Sequence, residues 1–158
     1  MNTHYTVEKN VLILISLLKR NGIRKVIASP GTTNITFVAS LQSDPFFQMY
    51  SAADERSAAY MACGLAEESG EPVVITCTGA TASRNYIPGM TEAYYRKLPV
   101  LAVTSMAGRS KIGNLNPQII DRSRIQKDVS VYSAFLPFVH DCEDERLCVL
   151  TVNKAMIA

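Results

Sequence analysis

The sequence predicts an α/β domain, a parallel sheet with helices on both faces, from three observations. Short runs rich in β-branched residues alternate with stretches whose apolar residues recur at helical spacing, the order of βαβ units. Three of the strand-like runs end in turns of small, hydroxyl or acidic residues, at Ser29 to Asn34, Asp54 to Ser57 and Thr78 to Asn85. With 158 residues, 47% hydrophobic and 19% charged, the chain can bury a real core and is not mainly disordered.

The first helix is expected from Thr6 to Arg20. Val7, Val11, Leu14, Ile15 and Leu18 share a face, Thr6 can cap the start and Asn21-Gly22 supplies the stop. Lys25 to Ala28 reads as a short buried strand. Ser29-Pro30-Gly31-Thr32-Thr33-Asn34 breaks it, and a second helix runs from Asn34 to Gln42. This junction puts free N–H groups at a strand's carboxyl end. It is not a Walker-type phosphate loop, because no Gly-Lys-Ser/Thr follows. Ser43-Asp44-Pro45 ends that helix, and Gln48 to Ala52 is the next strand.

A third helix, Glu55 to Ser69, is rich in Ala and poor in bulk, so a backbone or flat ligand can come close to it. Asp54 is its expected N-cap and Gly70 its stop. Glu55 stands at the strand-to-helix junction, where open α/β sheets place ligand contacts. Its competing role is to complement the helix dipole. Pro72 leads into the strand Val73 to Thr78, and Thr78-Gly79-Ala80 opens a second small-residue turn suited to a ring or phosphate. One continuous helix is expected from Thr81 to Arg96, with Tyr86, Ile87, Met90 and Tyr94 in the core.

Val100 to Thr104 is the fourth strand, and Ser105 to Pro117 a long loop without apolar periodicity. Gln118 to Lys127 reads as a short helix, Val129 to Val139 as an apolar packing segment, and Glu143 to Ala158 as a last helix. That helix has no stop signal, and an α/β layer would return from it to another strand. The expectation is one domain, residues 1–158, lacking its final strand and the remainder of a longer protein.

Composition narrows the function classes. A net charge of +2 with scattered Lys and Arg makes no footprint for nucleic acid. The longest apolar run, Val11 to Leu18, is too short to span a bilayer, so a cytoplasmic chain with no membrane partner is expected. The four cysteines form no CxxC: Cys63 and Cys77 are expected in the core, and Cys142 and Cys148 at the surface. The two histidines, His4 and His140, lie at opposite ends, so no metal site is expected.

Taken together, Gly22 to Gly31, Asp54-Glu55-Arg56-Ser57-Ala58-Ala59, Gly64-Leu65-Ala66, Gly70, Pro72-Val73, Asn85-Tyr86 and Glu92-Ala93-Tyr94-Tyr95 resemble one family. It is the pyrimidine-binding (Pyr) domain of thiamine diphosphate-dependent enzymes. Within that family the chain is most similar to the MenD type, the 2-succinyl-5-enolpyruvyl-6-hydroxy-3-cyclohexene-1-carboxylate synthases, which join 2-oxoglutarate to isochorismate. The acetolactate synthase group shares a looser version.

The resemblance implies a Rossmann-like three-layer fold and thiamine diphosphate as cofactor. It implies that Glu55 bonds N1′ of the aminopyrimidine and so helps to remove the thiazolium C2 proton, after which a 2-oxo acid adds and loses carbon dioxide. Pro30, Gly31, Thr32, Thr78 and Gly79 are then the further cofactor contacts, and Thr33, Arg84, Asn116 and Gln118 the substrate side. Magnesium and the diphosphate need a Gly-Asp-Gly domain, and this chain contains no Gly-Asp pair. A diphosphate-binding domain or subunit is therefore implied as partner, with a homodimer or larger oligomer, and the chain alone is expected to be inactive.

Three departures fall on the substrate side. Thr32-Thr33 stands where the MenD type has Ser-Arg, Ser105-Met106-Ala107-Gly108 replaces Ala-Asp-Arg-Pro, and the Ser-Gly turn is inverted to Gly79-Ala80. Arg84 and Arg109 bring cations back nearby. The competing class is a non-catalytic Rossmann-like regulatory or interaction module, which would have little reason to keep Glu55.

Overall fold

The computed structural model describes residues 4–79, 81–122 and 125–158. Ala80, Ser123 and Arg124 lie outside the described residues, and with them the Gly79-Ala80 step and part of the helix expected over 118–127. Among the described residues, the strands β1 (Lys25–Ala28), β2 (Gln48–Ser51), β3 (Val73–Thr78) and β4 (Val100–Ser105) form one parallel sheet. Their order is β2-β1-β3-β4. The helices are α1 (Lys9–Arg20), α2 (Ile35–Gln42), α3 (Glu55–Ser69), α4 (Thr81–Asn85), α5 (Ile87–Arg96) and α6 (Cys142–Ile157).

Successive strand residues point to opposite faces, so this sheet divides its core in two. Val26 and Val74 pack with Leu14 and Leu18 of α1, Phe37 and Leu41 of α2, and Val152 of α6. Ile27, Val73, Ile75 and Cys77 face the other way, onto Ala58, Ala59, Ala62 and Ala66 of α3 and onto Tyr86. Parallel strands covered on both sides read as unbroken apolar runs, which is why β1 and β3 have the bounds expected of them. The three-layer architecture is the one the sequence predicts.

The strand order places the site. From β1 the chain turns through α2 on one face to reach β2; from β2 it crosses through α3 on the other face to reach β3. The connections leaving neighbouring β1 and β3 therefore part company, and a crevice opens between their carboxyl ends. Ala28 pairs with both Ser51 and Thr76, and Thr78 with Ser105, so all four strands end at one edge.

Several elements differ from expectation. Helix α1 starts at Lys9 with Glu8 as its N-cap, not at Thr6. Thr6 is held elsewhere: its N–H donates to Ser40 Oγ on α2 at 2.9 Å. The helix stop is as expected, Gly22 adopting φ +70 while Ile23 N–H reaches back to Leu18 O. Asp54 caps α3 by accepting from Ser57 N–H at 2.9 Å, and Gly70 closes it at φ +66.

The helix expected over 81–96 is two, divided at Tyr86. Pro88 has no N–H to give to the carbonyl of Arg84, which interrupts the ladder. Residues 118–127 form no helix among the described residues; Leu115 and Gln118 take φ +53 and +61, so this stretch turns instead of winding. In the segment 129–139 Val129 is buried and Leu136 reaches the α1-side core, but Val131, Phe135 and Phe138 are exposed. Helix α6 begins at Cys142, one residue early, because Asp141 caps it through Glu143 and Asp144 N–H. Cys63 and Cys77 are buried and Cys142 is exposed, but Cys148 is buried too, contrary to expectation. It lies one helical turn before Val152 on the face that α6 turns to α1.

Candidate functional site

The turn after β1 is built around Asn34, the fully buried N-cap of α2. Its Oδ1 accepts from Gly31 N–H at 2.8 Å, and its Nδ2 donates to Ser29 O at 3.2 Å and reaches Thr76 Oγ1 on β3 at 3.4 Å. One amide thus closes the Pro30–Thr33 turn and pins it to the next strand. A buried amide costs free energy unless its groups are paired, and here they are. Sequence reasoning saw only a helix start at Asn34; its partner on β3 lies 42 residues away.

Gly31 sits so close to β3 that a Cβ would stand 2.4 Å from Thr78 Cγ2. Thr33 Oγ1 donates to Ser105 O at the end of β4, at 2.9 Å. These two contacts draw the β1 turn over β3 and β4. The cleft they bound has a volume of about 150 Å³ and is lined by Thr33, Thr78, Gly79, Ser105, Met106 and Gln118. A larger hollow of about 360 Å³ lies between β2 and α3. Tyr50, Met61 and Leu65 line it, and Glu68 is the one carboxylate among its lining residues.

Glu55 opens α3 at the end of β2 and is half-buried. Asn85 Nδ2, on the last residue of α4, donates to Glu55 Oε2 at 3.2 Å. The carboxylate also lies near buried groups of the neighbouring layer. Burial pushes the Cys77 thiol up to about 11; the adjacent Tyr86 hydroxyl opposes the rise and the Glu55 charge adds to it. Burial pushes the Tyr86 hydroxyl well above its ordinary value, with the charges of Cys77 and Glu55 adding. The Tyr86 hydroxyl lies beside the Cys77 thiol without a hydrogen bond of full geometry. Asp54, next to Glu55, is held below the usual carboxylate range by the Ser57 hydrogen bonds.

Of the residues singled out from sequence, Thr33, Thr78, Gly79 and Gln118 share the cleft, and Gly31 packs against Thr78. Pro30 and Thr32 are exposed on the same turn. Arg84 and Asn116 are exposed and do not line the cleft. Sequence reasoning missed Arg122, whose guanidinium is held below its ordinary value by burial and by the nearby charge of Arg84. The region fits a flat heterocycle in two respects. Glu55 is accessible and not lost in the core, and Ser29 Oγ is buried beside the turn with no partner among the described residues. Among the described residues no group of His, Cys, Asp and Glu is arranged to hold a metal ion, and no helix is long and apolar enough to cross a membrane.

Residues 11–128 match the family described as "Thiamine pyrophosphate enzyme, N-terminal TPP binding domain". Among curated proteins, the chain is 35% identical over 153 residues to the 2-succinyl-5-enolpyruvyl-6-hydroxy-3-cyclohexene-1-carboxylate synthase of Bacteroides fragilis, covering 97% of this chain and 28% of that protein. It is 45% identical over 105 residues to the synthase of the same name from Porphyromonas gingivalis, covering 66% of this chain and 18% of that protein. The chain thus spans between about a fifth and little more than a quarter of the length of these relatives.

Among solved structures, the thiamine diphosphate-dependent 4-hydroxybenzoylformate decarboxylase of Rhodococcus jostii superposes with a TM-score of 0.72 at 20% identity, over 93% of this chain and 27% of that one. The benzoylformate decarboxylase of Polynucleobacter necessarius gives 0.63 at 23% identity, over 70% and 20%. At these identities the structures speak for the fold. With the family match extending over most of the chain, this protein belongs to the thiamine pyrophosphate enzymes and carries their N-terminal TPP-binding domain.

Proposed function

We propose that this chain is the pyrimidine-binding half of a thiamine diphosphate-dependent enzyme that decarboxylates a 2-oxo acid or joins it to an acceptor, and that Glu55 is its catalytic residue. The observation that carries this reading is the half-buried carboxylate of Glu55 at the strand end, tethered by Asn85 at the edge where the Gly31 and Gly79 turns lie. When bound, the cofactor supplies the carbanion chemistry, and the protein supplies placement and a proton. Glu55 would hold N1′ of the aminopyrimidine, accepting and donating one proton there. Pro30, Gly31, Thr32, Thr78 and Gly79 would flank the ring, where small side chains leave room for it.

Thr33, Arg84, Asn116 and Gln118 would face the substrate. The relatives named as synthases support carboligation. Magnesium and the diphosphate would be held by a domain beyond these residues, in the same protein or a partner subunit, within a homodimer or larger assembly. Alone, residues 1–158 would turn nothing over. A non-catalytic module of the same fold would have little reason to keep a glutamate at this junction beyond complementing the helix dipole.

The test is exchange of the C2 proton of bound cofactor in the full-length protein. Glu55→Gln and Glu55→Ala are expected to slow it by about a hundredfold or more, the usual scale for a positioned proton-transfer group, with melting unchanged. Exchange at the unsubstituted rate in Glu55→Ala would sink the assignment.

A further inference from the structure

We infer that Asn85 is a positioning residue for Glu55, an uncharged donor that selects which carboxylate oxygen exchanges the proton. The inference rests on the reading of Glu55 just given. The two residues lie 30 apart in sequence and on different helices, yet Asn85 Nδ2 stands 3.2 Å from Glu55 Oε2. The contact has a fixed base. Asn85 ends α4 at the break imposed by Pro88; Ser83 and Tyr86, on either side of it, are both buried. The amide is exposed while its backbone is anchored.

The side-chain chemistry decides the consequence. A carboxyl group can carry its proton on either oxygen, but an N–H pointed at Oε2 competes with a proton there. A proton carried by Glu55 is therefore displaced to Oε1, and Oε1 becomes the oxygen that meets the ring nitrogen. An arginine or lysine in place of Asn85 would also orient the group, but its charge would hold the carboxylate ionised. An amide orients it and leaves it free to be protonated in turn. Asn85 touches no reacting atom; it acts through Glu55.

A double-mutant cycle in the full-length protein, with thiamine diphosphate and magnesium, tests this. Asn85→Leu keeps the approximate shape and removes the donor; Asn85→Asp keeps the shape more closely and replaces the donor with a like charge. Each is measured alone and with Glu55→Gln, by C2-proton exchange and by calorimetric cofactor affinity, with thermal melting as the check on folding. Loss of a hydrogen bond to a charged group predicts that Asn85→Leu slows exchange about tenfold to a hundredfold. Asn85→Asp should do at least as much. In the Glu55→Gln background either change should alter exchange and affinity by less than about twofold, because coupled residues do not contribute independently.

Equal losses from Asn85→Leu in both backgrounds would overturn the positioning role, as would full exchange in Asn85→Asp. If Glu55→Gln itself is silent, the assignment of Glu55 fails instead, so the two failures are separable.

Discussion

Asp44 shows how a single buried carboxylate can tie down a chain end. It accepts from the Tyr5 hydroxyl, from Lys19 Nζ at 2.6 Å and from Phe46 N–H at 2.9 Å. Burial alone would raise its carboxyl, but the hydrogen bonds from Lys19, Tyr5 and Phe46 outweigh that and hold it below the usual range. The hydrogen bond to Asp44 likewise raises Lys19. The depressed acid contributes stability above its unfolded value near 3.8, lost as pH falls through the lower folded value; the raised base contributes below 10.5, lost as pH rises. Asp44→Asn is therefore expected to cost about 1–2 kcal/mol, discounted because Lys19 is part-exposed. The cost should be constant from about pH 5 to pH 9 and should shrink in acid. Urea unfolding at pH 7 and pH 3 measures this, and an equal cost at both would remove the charge from the explanation. Neither Asp44 nor Asn34 was legible as a centre in the sequence, where they read as a helix stop and a helix start. Their roles come from partners 25 and 42 residues away. Asp54 and Gly70 were legible because a cap acts on its own helix.

Between elements, α3 and α5 approach closely, and the cause is a pair of small residues. A Cβ on Gly89 would stand 2.4 Å from Ala59 Cβ and 2.9 Å from the Ala59 carbonyl carbon. Cys63 Sγ donates to Gly89 O at 3.2 Å across the same contact. The obstacle includes backbone, which cannot rotate away as a side-chain end can. Gly89→Ala should gain a little helix propensity, under about 1 kcal/mol, and lose more to overpacking, about 1–3 kcal/mol. A net fall in melting temperature is expected; a rise would show that α5 can move off α3 freely. The small residues of α3 announced a close neighbour, and that neighbour is a helix. The cofactor ring proposed for Glu55 would lie at the N-terminal end of α3, not along its length. The break between α4 and α5 was written in Pro88, whose effect on the preceding turn outweighs the otherwise helical spacing. Over 118–127 no local signal opposed a helix strongly, yet Gln118 takes φ +61 at its start, a left-handed turn that periodicity does not carry.

For the molecule as a whole, function depends on strand order, because turns far apart in the chain meet only where the order reverses. The parallel alternation could be read from the apolar runs, but the β2-β1-β3-β4 order could not, since it is a property of how covered faces stack. Among the contacts that join the turns once they meet are Gly31 lying against Thr78 and the Thr33 hydroxyl on Ser105 O, beside the Asn34 and Asn85 amides. The first of these can be tested by compensation. Gly31→Ala places a methyl group 2.4 Å from Thr78 Cγ2, so the β1 turn must lift from β3 or Thr78 must change rotamer. Overpacking of this kind costs about 1–3 kcal/mol and would displace the groups proposed to flank the cofactor ring. Thr78→Ser removes the obstructing Cγ2 and keeps the hydroxyl. Calorimetric titration of the full-length protein with thiamine diphosphate and magnesium should show affinity reduced about tenfold in Gly31→Ala, the equivalent of half the overpacking range, and largely restored in the double variant. Thr78→Ser alone should bind within about threefold of the unsubstituted protein, as a side chain trimmed without loss of its polar group. If Gly31→Ala binds normally, the close approach does not shape the site. If the double variant stays as weak as the single, the damage comes from the turn's own backbone and not from crowding against β3.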